Sequence, residues 1–423
     1  MTNPPPSNGP LAPFRVLDLT NELGHLAGRM LAELGADVIK LEPPEGDPAR
    51  WNRPFYRDEP DPERSLFWWT FNHSKRGITI DLSRPQGRDL FLQLVDHADF
   101  VVESTPPGAM ESVGLGWDVI HERNPRLVMT SITPFGQDGP YAQWKATDLI
   151  GVAMGGLASL CGSPDRPPIR PSAAQGYTQA SAQAVVGTMI AHFHRTRTGQ
   201  GQHVDQSMQE AVTFTHDNAM PTWDIRRVNI ERPGNGRNIG GFKMGQYVYE
   251  AADGYVAALS YGGLFGLTAR QTIDWLDYHG MAEDLTSDEW FEKLDATQGV
   301  LIPPAGDDAD HLNDVLVRFC KRFTRAQLVS EAQQIRNGWG IVHTPADLLD
   351  NEHLAARDYW IELEHEDIGE SVTYPGPWAK LSATPLAVRR RAPQLGEHNH
   401  EVYGDLLGLS DDKIKQLAAD GVI

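Results

Sequence analysis

The sequence predicts an α/β fold, and three observations predict it. Phe14–Leu19 (FRVLDL), Leu26–Leu34 and Ala36–Leu41 (ADVIKL) read as strand, amphipathic helix and strand within thirty residues, which predicts parallel pairing through a right-handed crossover. The alternation then recurs, with a strand at Gly77–Leu82, a helix at Pro85–His97, a strand at Phe100–Glu103 and another at Leu127–Ser131. Finally, 423 residues with 40% hydrophobic and 22% charged side chains exceed one small core and suit two domains of an ordinary globular protein.

Taken in order, the chain opens on MTNPPPSNGP, a Pro-rich tail without the apolar centre of a signal peptide. The first strand-helix-strand unit invites a dinucleotide-binding reading, with Glu42 where a ribose-binding acid would sit. Its turn, TNELGHLAG, lacks the G-x-G-x-x-G that lets a backbone approach a pyrophosphate, which argues against that reading. Asn72, Lys75 and Arg76 stand just before the third strand; two cations beside an amide donor suit the phosphates of an acidic ligand, or form a solvated basic loop. From Ala146, TDLIGVAMGGLASLCG reads as a helix with Gly155 and Gly156 near its end, in which Asp148 is either a catalytic acid or a buried helix carboxylate.

The next helix is expected from about Thr178 to His194, followed by a basic Gly turn (Arg195, Arg197, Thr198, Gly199, Gly201) and a strand ending at Asp205. Ala180, Ala182, Ala184, Gly187 and Ala191 keep it thin enough for close backbone approach, and the residues before its first turn lie where a helix N-terminus favours an anion. SMQEAVTFTHDNAM is a further helix. The fragment GNGRNIGG lacks the flanking strand and helix of a phosphate loop and reads as a linker or covering loop around Gly240 and Gly241. Gln246 to about Arg336 gives a hairpin followed by helices, a small α+β domain.

Composition narrows the partners. A formal charge of −20 opposes non-specific attraction to nucleic acid or anionic lipid. No apolar run reaches the roughly 18 residues of a membrane span, so neither nucleic acid nor membrane is an expected partner. Cys161 and Cys320 offer neither a disulfide framework nor metal-ligand spacing, which fits a reducing cytoplasm. His192/His194 and His398/His400 are spaced i, i+2 and point apart on a helix, so no metal site is expected. Arg389–Arg391 reads as a solvated face.

Several ordered motifs carry a resemblance to class III CoA-transferases, the CaiB/BaiF family. In that family a paired Pro is followed nine residues later by an Asp nucleophile, and a Thr-Gly-x-Gly-Gln turn follows twenty-one residues after it. Counting forward from Pro168 and back from Thr198, both counts meet here at Tyr177. LAELGADVIKLEPPEGDPAR resembles the family's opening motif, whose second strand, with Lys40, leads into an adenine-binding loop. Asn72-x-x-Lys75-Arg76-Gly resembles its CoA-contacting loop, and the turn at Gly108 its Pro-Gly turn. The resemblance implies CoA-binding roles for Lys40, Asn72, Lys75, Arg76 and Gly108. It also implies a Rossmann-like large domain built from both chain ends (13–225 and 346–423, after a tail at 1–12), a small inserted domain (226–345 with its linker) and an interlocked dimer.

Three departures cluster at the implied ligand. Ser104 and Ser112 stand where the family has Asn and Arg, Gly24-His25-Leu26 where it has Gly-Pro, and Tyr177 at the nucleophile. The family mechanism needs a carboxylate that attacks an acyl-CoA thioester, forms a mixed anhydride, and is then converted by the returning thiolate to an enzyme thioester. A phenol, with pKa ~10, forms at best an aryl ester. In the racemase branch a His precedes the Asp at the place of Asp148; here it is Thr147, so both α-proton bases are missing. The expectation is a CoA-transferase subunit acting on CoA and acyl-CoA as substrates, with no resident cofactor. Its companion would be a related subunit carrying the Asp, as in benzylsuccinate CoA-transferases, or a second copy of itself. The alternatives are an acyl-CoA isomerase or lyase using Tyr177 or Asp148 as general acid or base, and a non-catalytic CoA-thioester scaffold.

Overall fold

The structure is a computed structural model that describes residues 9–216, 218–239, 242–258, 269–295 and 307–423. Gly240, Gly241 and the first eight residues of the expected tail lie outside the described residues.

The chain divides into two compact units, one formed by the stretch up to Gly156 with Pro171–Thr215 and Glu352–Ile423, the other by Leu157–Arg170 and His216–Asn351. The first unit is built on six parallel strands, β1 (Arg15–Leu19), β2 (Asp37–Glu42), β3 (Arg76–Thr79), β4 (Phe100–Glu103), β5 (Val128–Thr133) and β6 (His203–Ser207). Their order is β3-β2-β1-β4-β5-β6, the doubly wound arrangement, and the strand order reverses between β1 and β4.

Alternation along the strands decides what each face buries. Leu17, Ile39, Val101 and Met129 lie in register and pack with helix α3 (Pro85–Asp96) and the C-terminal Val402, Tyr403 and Leu417. The chain's last segment is fastened to the outer strand: the Tyr403 hydroxyl donates to the Thr79 carbonyl at 2.7 Å, and the Thr79 amide to Asn399 Oδ1 at 2.9 Å. On the other face lie α1 (His25–Glu33) and the long α6 (Gln175–Thr198). Thr188 on α6 bonds Thr130 of β5 through their hydroxyls at 2.7 Å, and a Cβ on Gly187 would come within 2.9 Å of Val204. Small residues on α6 therefore permit the close approach that the sequence predicts.

Under the β1–α1 turn lies a buried polar knot. The Lys75 ammonium donates to Asp18 Oδ2 at 2.8 Å, Asn72 Oδ1 at 2.8 Å and the His25 carbonyl at 3.0 Å. Asp18 also accepts from the Thr20 amide at 2.9 Å and hydroxyl at 2.6 Å. Lys40 donates to the Thr20 carbonyl and lies 3.4 Å from Asp47, which His25 meets at 3.2 Å. A Cβ on Gly28 would collide with Asp18 Oδ2 at 2.0 Å, so glycine is what lets α1 lie over the ion pair.

The second unit carries an antiparallel sheet of Val248–Ala251, Gly254–Ala258 and Trp339–Ile341, covered by helices Ala269–Tyr278, Asp307–Cys320 and Arg325–Gln334 around Tyr249, Ile273, Leu316 and Phe319. Its hairpin and helices follow the sequence pattern, with a third strand added. GNGRNIGG runs into a strand, Gly236–Ile239, paired antiparallel with Phe242–Gln246. Among the described residues no helix is long and apolar enough to cross a membrane.

Removing one partner of a buried ion pair strands the other, at a cost of about 3–5 kcal/mol. Lys75→Met is therefore expected to lose about that much stability in urea denaturation, and the double variant Asp18→Asn with Lys75→Met to recover part of it. Burial raises the Asp18 carboxyl, but Lys75 and Lys40 more than offset this and hold it at about 2, below its ordinary 3.8. Burial takes Lys75 down to about 8, more than Asp18 returns, so the pair is ionic at neutral pH. Because the Asp18 pKa is lower in the folded state, its contribution is complete above the ordinary carboxylate pKa and is lost as pH falls toward about 2. Denaturation curves collected at descending pH should show that loss in the wild type and less of it in Asp18→Asn.

Candidate functional site

A cavity of about 560 Å³ opens at the carboxyl ends of β1, β4 and β5, at the point where the strand order reverses. Ligands of open α/β sheets bind at such a crevice. Asn21, Glu22 and Leu23 come from the β1–α1 turn, Asp47, Ala49 and Asn52 from the segment after β2, and Ser104 to Pro107 from the turn after β4. Pro134 follows β5, Ala142 to Thr147 come from the next loop, and Tyr177 from α6.

Tyr177 sits inside the first turn of α6, not before it, which corrects the expected start of that helix at Thr178. Ala174 at the N-cap has no side-chain acceptor, and Asp148 supplies one from a neighbouring element: its Oδ1 accepts the Tyr177 amide at 3.2 Å. The helix also runs past His194, so Arg195 and Arg197 are helical; Gly199, at φ 76°, ends it by donating its amide to the Arg195 carbonyl. Asp148 is buried in the first turn of α5 (Asp148–Met154), a helix that ends at Gly155 and Gly156, where the sequence puts its end.

The Tyr177 hydroxyl donates to Glu22 Oε1 at 3.3 Å, and Asn52 Nδ2 donates to Glu22 Oε2 at 2.9 Å. Burial first, then the Glu22 carboxylate beside it, push the Tyr177 phenol up to about 12. It is a neutral hydrogen-bond donor across the physiological range and carries no nucleophilic phenolate there.

The other residues singled out in the sequence are dispersed. Lys40, Asn72 and Lys75 are buried in the knot beneath the turn. Arg76 points away from Lys75 and pairs with Asp37 at 2.7 Å. The Asn72–Arg76 stretch is thus neither a solvated loop nor an array of cations facing the cavity. Gly108, at φ 84°, precedes a single helical turn (Ala109–Ser112) in open space beside the cavity-lining Pro106 and Pro107. Glu42 is buried and gripped by the Arg50 guanidinium at 2.6 and 2.8 Å, which leaves it no role toward a ribose. Arg389–Arg391 is not a solvated face: Arg389 donates to the Ala32 and Ala36 carbonyls at 2.9 and 2.7 Å, and Arg390 meets His398 at 2.8 Å. These carbonyls at the end of α1 need donors, and the run supplies them.

Three lining residues escaped the sequence reading: Glu22, Asn52 and Lys145. Glu22 belongs to a turn in which only the glycines carry a motif signal, and its contact to Tyr177 spans 155 positions. Lys145 is exposed and is the cavity's one lysine or arginine among the described residues.

The profile of CoA-transferase family III matches residues 11–399. The chain is 34% identical, over 92% of either sequence, to the succinyl-CoA:(R)-benzylsuccinate CoA-transferase subunit BbsE of Thauera aromatica. It is 35% identical over 98% of either to the succinyl-CoA–D-citramalate CoA-transferase of Chloroflexus aurantiacus, and 31% identical to the beta subunit of that organism's succinyl-CoA–L-malate CoA-transferase, again over 98% of either. Among solved structures, a CAIB/BAIF family protein from Brucella suis superposes with a TM-score of 0.78 at 27% identity, over 95% of this chain and all of the other.

A phenol at about 12 predicts a silent titration. Tyrosinate absorbance of the wild type and of Tyr177→Phe should coincide up to about pH 11, one unit below that value. An excess in the wild type at lower pH would show an ionised Tyr177 and contradict the donor role.

Proposed function

The chain belongs to CoA-transferase family III, and from that premise we propose that it is the non-nucleophilic subunit of a heteromeric enzyme that moves CoA between an acyl-CoA and a carboxylic acid. The observation behind the reading is the phenol at position 177, where the resemblance to the family calls for a carboxylate. Acyl transfer of this kind proceeds in balanced steps. A carboxylate oxygen attacks the thioester carbonyl, the C–S bond breaks and CoA leaves as thiolate. The thiolate then attacks the enzyme's side of the anhydride and releases the free donor acid. The acceptor carboxylate attacks the resulting enzyme thioester and expels CoA again, and the thiolate finally takes the acceptor acyl group and frees the carboxylate. An aryl ester on Tyr177 has no carbonyl of its own to become a thioester, so the cycle stops at its second step. The nucleophile therefore comes from a related subunit.

Two further observations support a partner. Relatives include named subunits of CoA-transferases, BbsE and the alpha and beta subunits of a malate enzyme. And α6 exposes Val186 (58%), Ile190 (64%) and Phe193 (64%), spaced i, i+4, i+7 on one face, an apolar stripe suited to a covering chain in an interlocked pair. In this reading CoA is a substrate and no cofactor resides. The exposed Lys145 is the cavity's donor to an anionic ligand, while Lys40, Asn72 and Lys75 act from below by fixing the turn that bears Asn21 and Glu22.

Borohydride or hydroxylamine trapping with an acyl-CoA, followed by mass spectrometry, tests the reading. The pure chain is expected to yield no carboxyl adduct, Tyr177→Asp to yield one at that position, and co-expression with an Asp-bearing relative to restore exchange. Complete turnover by the pure wild-type chain would sink it. The paired substitution Ile190→Glu, Phe193→Glu should shift the assembly toward monomer in analytical ultracentrifugation, and an unchanged mass would rule out that face as the interface.

A further inference from the structure

We propose that Glu22 sets the ligand selectivity of this chain's cavity, which admits the CoA thioester of an apolar acid and turns away one whose acyl chain ends in a second carboxylate. The proposal rests on the CoA-thioester reading above and adds to it the class of acyl group. Because Tyr177 cannot take up an acyl unit, occupancy here is binding without turnover, and affinity reports the selectivity directly.

The lining argues for an apolar guest. Leu23, Ala49, Pro106, Pro134, Ala142 and Trp144 supply most of the wall, and Trp144 lies against Tyr141 with ring centroids 4.2 Å apart and the rings tilted by 36°. Two carboxylates also reach the wall, and their situations differ. Asp47 is answered by Lys40 at 3.4 Å and His25 at 3.2 Å. Glu22 is held by two neutral donors, Tyr177 at 3.3 Å and Asn52 at 2.9 Å, and among the described residues no cation pairs with it. The donors fix its position without cancelling its charge, and the Tyr177 proton does not leave at neutral pH. Three separate elements, the β1–α1 turn, the segment after β2 and the first turn of α6, meet at this one carboxylate.

A second carboxylate entering the cavity meets a fixed like charge. At a separation of several ångströms in a partly solvated site, that repulsion amounts to about tenfold in affinity. Lys145 does not undo it: both groups are exposed, but the Lys145 ammonium swings on a flexible four-carbon stem, whereas the Glu22 carboxylate is held at both oxygens. The neutral Trp144 and proline surfaces favour an aromatic or branched aliphatic acyl group.

The experiment is equilibrium binding of phenylacetyl-CoA and succinyl-CoA to the purified full-length chain, in the assembly in which it purifies, by isothermal titration calorimetry at low and high salt. The wild type should hold phenylacetyl-CoA about tenfold more tightly than succinyl-CoA, with the gap narrowing as salt rises. Glu22→Gln should tighten succinyl-CoA by about the same factor and leave phenylacetyl-CoA within about twofold. Asn52→Ala, which frees one carboxylate oxygen, should close part of the gap and serves as a second variant if Glu22→Gln does not fold by circular dichroism. Equal or reversed preference in the wild type, or an unchanged ratio in the variants, overturns the selectivity and leaves the family reading standing. Binding of neither thioester overturns both the selectivity and the assignment of this cavity to CoA thioesters. The partner-subunit reading fails separately, through turnover by the pure chain.

Discussion

The Asp18–Lys75 ion pair is the constraint on which the site depends. Asp18 belongs to β1, Lys75 directly precedes β3, and the same ammonium holds the backbone of His25, the first residue of α1. One buried cation thus fixes the relative placement of two strands and a helix. Such a pair contributes little net stability, since desolvating both charges costs about what their attraction returns. What it does provide is a single geometry: α1 lies close enough that only glycine fits at position 28, and the turn above presents Asn21 and Glu22 to the cavity.

That use of charge explains why the cavity is less cationic than the sequence suggests. Asn72, Lys75 and Arg76 are neighbours in sequence and read as one cluster. At the entry to a strand, however, successive side chains leave in opposite directions. Lys75 goes inward to Asp18, and Arg76 reaches across to Asp37 on β2. Lys40 is likewise consumed by Asp47 and the Thr20 carbonyl. The positive charges are committed beneath the floor of the site, and the wall above them is chiefly apolar.

The inner strands of the parallel sheet were legible because they are short, apolar-rich runs buried on both faces, whereas the edge strand β6 (HVDQS) is polar and partly buried and is marked instead by the Gly turn before it. Helix ends were legible only where the chain caps itself. Gly199 closes α6 in plain view, but its start is capped by Asp148, 29 residues upstream of Tyr177, which no local pattern announces. The same holds for Arg389, whose partners at Ala32 and Ala36 lie more than 350 positions away. Tyr177 itself was found by counting between motifs, whereas Glu22 and Asn52 become functional candidates only once folding sets them against that phenol.

A phenol and a carboxylate at position 177 would differ in more than reactivity. A carboxylate at position 177 would face Glu22 as a like charge, and the two would resist sharing one small cavity. A tyrosine turns that repulsion into a hydrogen bond, and the longer side chain reaches across to the acid on the opposite turn. Burial and the adjacent charge then lock the phenol in its protonated form. The protonated phenol at position 177 and the fixed charge at position 22 are therefore two results of one contact: the hydroxyl that the adjacent carboxylate helps keep protonated is, with Asn52, one of the two donors that hold Glu22 in place.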